Sequence, residues 1–84
     1  MLVDEARVLV KYKPDTEITI VEMVDPDTEK AVWMMKVHVG TSMRYITDPL
    51  TQAHVIYQTL YDAVTTCRDT IGHRHPILHL LMPR

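Results

Sequence analysis

Three histidines near the carboxyl end have the spacing best suited to chemistry. His73, His75 and His79 form an H-x-H-x3-H pattern. Zinc takes three or four nitrogen, sulfur or carboxylate ligands, and His73 and His75 could offer two of them from one loop. The alternative is that both are solvated beyond a helix end, where positive charge is mildly favoured. Because no nearby residue completes a ligand set, we predict no metal and no cofactor, and keep the three histidines as the candidate metal site to test.

The single cysteine is the other residue whose chemistry must be weighed. A nucleophilic cysteine needs a base and a lowered pKa, usually in exposed, positively charged surroundings. Cys67 recurs at helical spacing with Val64 and Ile71, on a stripe expected to be buried, where cysteine behaves as a small hydrophobe. The two glycines of the chain cannot build a phosphate-binding loop or a dinucleotide fingerprint. We therefore predict that the protein is not an enzyme.

A short basic stripe raises the alternative of nucleic-acid binding. Arg7, Lys11 and Lys13 fall on one side of the first predicted strand. The chain has a net charge of −2 and five aromatic residues (one Trp, four Tyr and no Phe), so it has neither a general attraction for polyanions nor an interleaved basic and aromatic pattern for stacking bases. The stripe is more typical of a solvated face. A nucleic-acid-binding accessory protein using this basic strand face remains the alternative function.

Length and composition indicate one small intracellular domain. The 84 residues are 46% hydrophobic and 24% charged, which is typical of a folded globular chain. One cysteine cannot form an internal disulfide, and the start of the sequence lacks the apolar core of a signal peptide, so we predict a cytoplasmic protein. No apolar run approaches the roughly 20 residues that a membrane span needs.

Hydrophobic periodicity gives the order of elements. Alternating residues predict strands, and three- and four-residue steps predict a helix. In chain order we predict strands over residues 6–13, 17–24 and 31–39, a short strand over 43–46, a helix over 48–71, and a strand over 77–82. The turn at residues 25–30 makes a hairpin of the second and third strands the most favoured long-range contact.

The long helix organises the predicted fold. Asp48 offers a carboxylate to free amides, Pro49 suits the first helical position, and Gly72 suits the left-handed residue that ends a helix. Its predicted apolar stripe consists of Ala53, Ile56, Tyr57, Leu60, Ala63, Val64, Cys67 and Ile71. The expected fold is α+β, with an antiparallel sheet of four or five strands and this amphipathic helix across one face, in the order β-β-β-(β)-α-β.

The apolar residues of the hairpin exceed what one covering helix needs. Val21, Met23, Val32 and Met34 are available for the sheet face turned away from the helix. Contiguous exposed apolar surface usually marks an interaction site, and six methionines suit an adaptable contact surface. The alternative is a bulge in the second strand that turns Val21 and Met23 inward. We predict that these four residues bind a partner.

A second candidate surface lies along the shoulder of the predicted helix. It consists of Leu50, His54, Tyr61 and Arg68. Tyrosine and arginine are typical anchors of protein interfaces. The alternative is that Leu50 and Tyr61 close the edge of the core, since single exposed apolar residues are common.

These features together predict a small non-enzymatic module that acts by binding another protein, as a homodimer. Short chains with surplus apolar surface and no catalytic motif are common among inhibitors encoded by phages and mobile elements, including those that block host defence systems. We extend the prediction to that class, although no motif in the chain shows such an origin. The alternatives are the nucleic-acid-binding accessory protein and a metal-binding protein that uses the histidine cluster.

Overall fold

The computed structural model describes residues 1–81 as an α+β fold. Its elements are α1 (Val3–Tyr12), β1 (Ile18–Val24), β2 (Ala31–Val39), β3 (Ser42–Tyr45), α2 (Leu60–Thr65), a π-helix (Thr66–Ile71) and β4 (Ile77–His79). The strands form one sheet in the order β3-β2-β1-β4. β4 runs parallel to β1, whereas β1, β2 and β3 pair antiparallel. The α+β class is confirmed, but the wholly antiparallel sheet with a single long helix is wrong.

The hairpin between β1 and β2 is confirmed. Its ladder runs from Ile18 opposite Val37 to Val24 opposite Ala31. The connecting turn is closed by Asp25, whose carboxylate accepts a hydrogen bond from the Asp27 amide at 2.9 Å and whose carbonyl accepts one from the Glu29 amide at 2.7 Å. The β-branched residues of both strands and the local capping by aspartate favour this arrangement.

The predicted first strand is a helix. Residues 6–13 were expected to alternate, but Val3–Tyr12 is α-helical, with Ala6 and Val10 buried one turn apart. The Glu5 carboxylate accepts a hydrogen bond from the Leu2 amide at 2.9 Å, which satisfies one free donor at the helix start. Acidic residues in the first turn and Lys11 in the last complement the helix dipole. Ala6 and Val10 are four residues apart, a spacing that fits both the alternation of a strand and one turn of a helix. The pattern therefore did not distinguish the two.

The predicted helix over residues 48–71 begins twelve residues too early, since the observed helix begins at Leu60. Asp48 does cap free amides, those of Leu50 at 2.8 Å and Thr51 at 3.1 Å, but it closes a single turn. The chain then runs back in extended form, with the Val55 amide donating to the Ile46 carbonyl and Tyr57 bridging to Trp33. β-branched and aromatic residues at positions 55–57 favour extended backbone, and this preference prevailed over the helical spacing.

The helix begins at Leu60 and ends at Ile71. Thr59 is its cap, and the hydroxyl accepts a hydrogen bond from the Asp62 amide at 3.0 Å. The α-helical turns of α2 continue directly into the π-helix, and Gly72 ends it with a left-handed φ of 89°, as predicted. The predicted stripe holds in this half, where Ala63, Cys67 and Ile71 are buried.

β4 is an exposed edge strand. The apolar run at residues 77–82 was expected to be a strand covered on both sides, but only Ile77–His79 is a strand, and all three residues are exposed. It pairs beside β1, with Thr19 opposite Ile77 and Ile20 opposite Leu78. Met82, the last residue of the predicted strand, lies outside the described residues.

The core lies between one face of the sheet and the helices. Its buried members are Ala6, Val10, Ile18, Ile20, Met35, Val37, Ile46, Ala63, Cys67 and Ile71. Both helical segments and both central strands contribute, so this cluster holds the two layers together by removing apolar surface from water. No helix within residues 1–81 is long and apolar enough to cross a membrane.

Candidate interaction surface

The hairpin register brings the four predicted sheet residues together. Val21 lies directly opposite Met34, and Met23 lies directly opposite Val32. Residues directly opposite each other in an antiparallel pair point to the same side of the sheet. The four side chains therefore form one contiguous apolar block, which we call the open face.

The open face is turned away from the helices. Ile18 and Ile20 of β1 point to the core, so the alternate residues of that strand point to the other side. Val32 and Met34 are only 5% and 8% exposed, yet neither belongs to the core cluster. Within residues 1–81, the helices contribute their buried side chains to the opposite face only.

Apolar residues continue around the block. Met23 itself is 41% exposed. Met43, opposite His38, and Ile77, opposite Thr19, lie on the same face and are about half exposed. On the open face, Val32 and Met34 are therefore buried, and the apolar atoms that reach water belong mainly to Met23, Met43 and Ile77.

The open face carries almost no charge. Within the strand segments 19–23 and 32–36, Lys36 is the one charged side chain on this side. Its ammonium lies 6.0 Å from the centre of the Tyr45 ring, and Tyr45 stacks on His54 with ring centres 4.6 Å apart. The Thr19 hydroxyl and His38 Nε2 are 3.2 Å apart. An uncharged apolar centre with a polar border is the usual anatomy of a protein interface.

The predicted helix shoulder does not exist as one surface. Leu50 and His54 precede the helix, which begins at Leu60. Leu50 lies 91% exposed in the turn that Asp48 caps, and His54 bridges to Thr47. Tyr61 lies on α2 and Arg68 on the π-helix, both exposed. His54 borders the open face instead, through its contact with Tyr45.

The three candidate histidines are not brought together. His73 Nε2 lies 2.7 Å from the Thr16 carbonyl oxygen, and its Nδ1 is buried without a hydrogen-bond partner in the described part of the chain. His75 and His79 are exposed on the loop and on β4. Residues 1–81 contain no group of three histidine, cysteine, aspartate or glutamate side chains placed to hold a metal ion. His73 is better described as a tether between two loops.

Replacing His73 by alanine should therefore lower stability rather than remove a ligand. The Nε2–H donates to Thr16, a residue only 8% exposed, so the substitution leaves a buried carbonyl without a partner. We expect a loss of about 1–3 kcal/mol in the free energy of unfolding, measured by urea denaturation at pH 8. The matched control His75→Ala removes an exposed imidazole and should cost less than about 0.5 kcal/mol. Equal losses in both variants would contradict the tether.

Cys67 is part of the core and is not activated. Its side chain is fully buried, and Sγ donates to the His73 carbonyl oxygen at 3.4 Å. Burial raises the pKa of the Cys67 thiol from 9.0 to about 11. The thiolate is the reactive species, so this environment suppresses nucleophilic chemistry.

Alkylation of Cys67 by iodoacetamide should show this suppression. At pH 8 we expect the folded protein to react at least roughly 100-fold more slowly than the urea-unfolded chain, because the raised pKa lowers the thiolate fraction by about that factor. Because the unfolded chain loses the thiol proton first, stability should fall as pH rises above 9.0 towards about 11. A folded protein that reacts as fast as the unfolded chain would contradict this assignment.

The sequence reasoning missed a groove lined by basic residues. Arg7 and Lys11 were expected on a strand with Lys13, but they lie one turn apart on α1 and line a cavity of about 760 Å³ together with Arg74 and His75. Lys13 borders a different, apolar groove of about 610 Å³ with Val8, Tyr12 and others. The four-residue spacing of Arg7 and Lys11 was the available signal, and reading residues 6–13 as a strand hid it.

Comparisons of the chain with protein-family models, with curated proteins and with solved structures find no match.

Proposed function

We propose that the protein is a non-enzymatic interaction module that associates with a second copy of itself through the open face. The observation that carries this proposal is the pairing of Val21 with Met34 and of Met23 with Val32, on the side of the sheet away from the core. Around this block, Met23, Met43 and Ile77 of the same face are 41%, 54% and 47% exposed. Exposed apolar surface of this kind is the usual mark of an interaction site.

A second copy fits this face better than a charged partner does. A twofold interface places the same patch on both sides, so a charge at its centre would lie against the same charge of the second copy and be repelled. The open face has Lys36 alone within its central strand segments, and Lys36 lies at the border beside Tyr45. Two such sheets can stack face to face about 10 Å apart with their side chains interdigitated.

Sedimentation velocity at concentrations up to tens of micromolar tests the proposal. The chain has a mass of 9.7 kDa, so a dimer is readily separated from a monomer. We expect a reversible, concentration-dependent dimer. Its dissociation constant should change little with salt, because the interface is apolar and salt screens only interactions between charges. A monomer throughout this range would overturn the proposal.

The nucleic-acid alternative required Arg7, Lys11 and Lys13 on one face of a strand. These three residues do not form such a face. Arg7 and Lys11 lie on α1 and line one groove, while Lys13 follows the helix and lines another. The proposed dimer does not involve these residues.

A further inference from the structure

A groove of about 760 Å³ lies beside the C-terminal half of α1. Its walls are α1, the loop into β1, the end of the π-helix and the loop into β4. The charged and titratable side chains on these walls are Arg7, Lys11, Asp15, Glu17, His73, Arg74 and His75.

Two separate elements, α1 and the loop after Gly72, supply the basic side chains of the groove. Arg7 and Lys11 stand four residues apart on α1, so they share one side of that helix. α1 packs against the π-helix, which places the loop after Gly72 alongside them. Gly72 takes a left-handed φ of 89°, which ends the helix and directs Arg74 and His75 to the groove.

A smaller cavity extends the same surface. It measures about 370 Å³ and is lined by Arg68, Asp69, Arg74 and His75, two of which it shares with the larger groove. Arg74 therefore stands between two adjoining concavities. The π-helix, an uncommon conformation that is frequent at functional sites, supplies Arg68 and Asp69.

Most of these cations are not neutralised by ion pairs. Arg7 lies 3.5 Å from Asp4, in an exposed pair of low stabilising value. No carboxylate in residues 1–81 lies within 4.0 Å of the charged groups of Lys11, Arg68 or Arg74. The position of Lys11 in the last turn of α1 is explained by attraction to the negative end of the helix dipole. The positions of Arg7 and Arg74 are not explained in this way. On the groove wall, Lys11 and Arg74 are thus without a carboxylate partner in the described part of the chain, and the pair of Arg7 with Asp4 is exposed and weak. Such a set of cations around a cavity is suited to an anion.

We propose that this groove binds a small phosphate-bearing ligand of the di- or triphosphate class. Arg7 and Arg74 would each grip phosphate oxygens with the planar guanidinium fork, and Lys11 would add a point charge between them. The walls also carry Asp15 and Glu17, so the ligand must be short enough to contact Arg7, Lys11 and Arg74 without lying against these two carboxylates. With a net charge of −2 over the whole chain, a compact ligand is favoured over nucleic acid.

Calorimetric titration with sodium tripolyphosphate at pH 7 and about 50 mM salt tests the site. We expect binding that weakens at least about tenfold in Arg74→Gln and in Lys11→Gln, since each loses a charge-assisted contact. Arg44→Gln is the matched control, because Arg44 is an exposed arginine on β3 at the far edge of the sheet. It should bind within about twofold of the parent protein.

Three results would overturn the proposal. They are no binding of tripolyphosphate at about 1 mM, equal weakening in Arg44→Gln, or binding of a short single-stranded oligodeoxynucleotide more than about tenfold tighter than tripolyphosphate. Circular dichroism of each variant separates loss of the site from loss of the fold. Met23→Lys on the open face should bind tripolyphosphate normally, so the site is tested independently of the dimer.

Discussion

Replacing Met23 by lysine is expected to convert the dimer into a monomer. Met23 is 41% exposed and faces Val32 across the hairpin, so its side chain would lie within the interface. A lysine there must lose its hydration without a partner, and the twofold symmetry places two such charges in one interface. We expect the dissociation constant to rise at least about 100-fold, measured by sedimentation equilibrium.

Val24→Lys is the matched control for this substitution. Val24 is the next residue of β1, is 46% exposed, and points to the other side of the sheet. It should leave association unchanged. Met43→Lys, on the same face as Met23 but on β3, should weaken the dimer as well. Loss of association in Val24→Lys alone would place the interface on the opposite side and contradict the open face. Urea denaturation of each variant checks that the fold survives.

Replacing Ile20 by alanine is expected to produce the largest loss of stability among these variants. Ile20 is fully buried at the centre of the sheet, with Met35 opposite it on β2 and Leu78 on β4. Deleting its side chain removes apolar contacts and leaves a cavity, which costs about 2–5 kcal/mol. The total free energy of unfolding of a small domain is only about 5–15 kcal/mol, so the thermal midpoint should fall by roughly 10 °C or more.

Leu78→Ala tests whether this loss depends on the covering helices. Leu78 is the direct partner of Ile20 on the same face, and a change to alanine removes the same number of carbon atoms. Leu78 is nevertheless 45% exposed, because it lies at the uncovered edge. We expect a loss of less than about 1 kcal/mol by differential scanning calorimetry. Similar losses at both positions would contradict the placement of the helices over Ile20.

The hairpin and its open face followed from sequence because both depend on local patterns. β-branched strands on either side of an aspartate-rich turn fix the pairing, and the register then decides which side chains share a face. Val21 and Met34 could therefore be grouped before any tertiary contact was known. The end of the helix at Gly72 was predictable for the same reason, since it depends on one residue type.

Two predictions were wrong, the strand over residues 6–13 and the start of the helix at residue 48. In each, the local sequence pattern fits two different structures. Val8 and Tyr12 fit a strand by alternation, but both lie exposed on α1, and the core uses Ala6 and Val10 instead. Asp48 is a real cap, but the turn that it closes is not continued as a helix. Acidic residues before Ala6 and β-branched residues after Asp48 were the signals that favoured the observed structure.

The parallel strand and the basic groove could not be derived from local pattern. The neighbour of β4 is chosen by tertiary packing, because a short apolar run fits either direction beside β1. The groove depends on α1 lying against the π-helix, which brings Arg7 and Arg74 together from opposite ends of the described chain. Helical spacing alone could have paired Arg7 with Lys11, but not with Arg74.

The pairing of β4 with β1 also bears on the order of folding. Residues 18–45 contain a complete three-stranded meander, whose contacts are close in sequence and can form early. In a nascent chain, the pairing of Thr19 with Ile77 cannot form before residue 77 has been synthesised. During synthesis, the outer edge of β1 stays open after the meander has formed. For that interval the nascent chain presents unpaired strand hydrogen bonds, the condition under which wrong strand pairing between chains is most favoured.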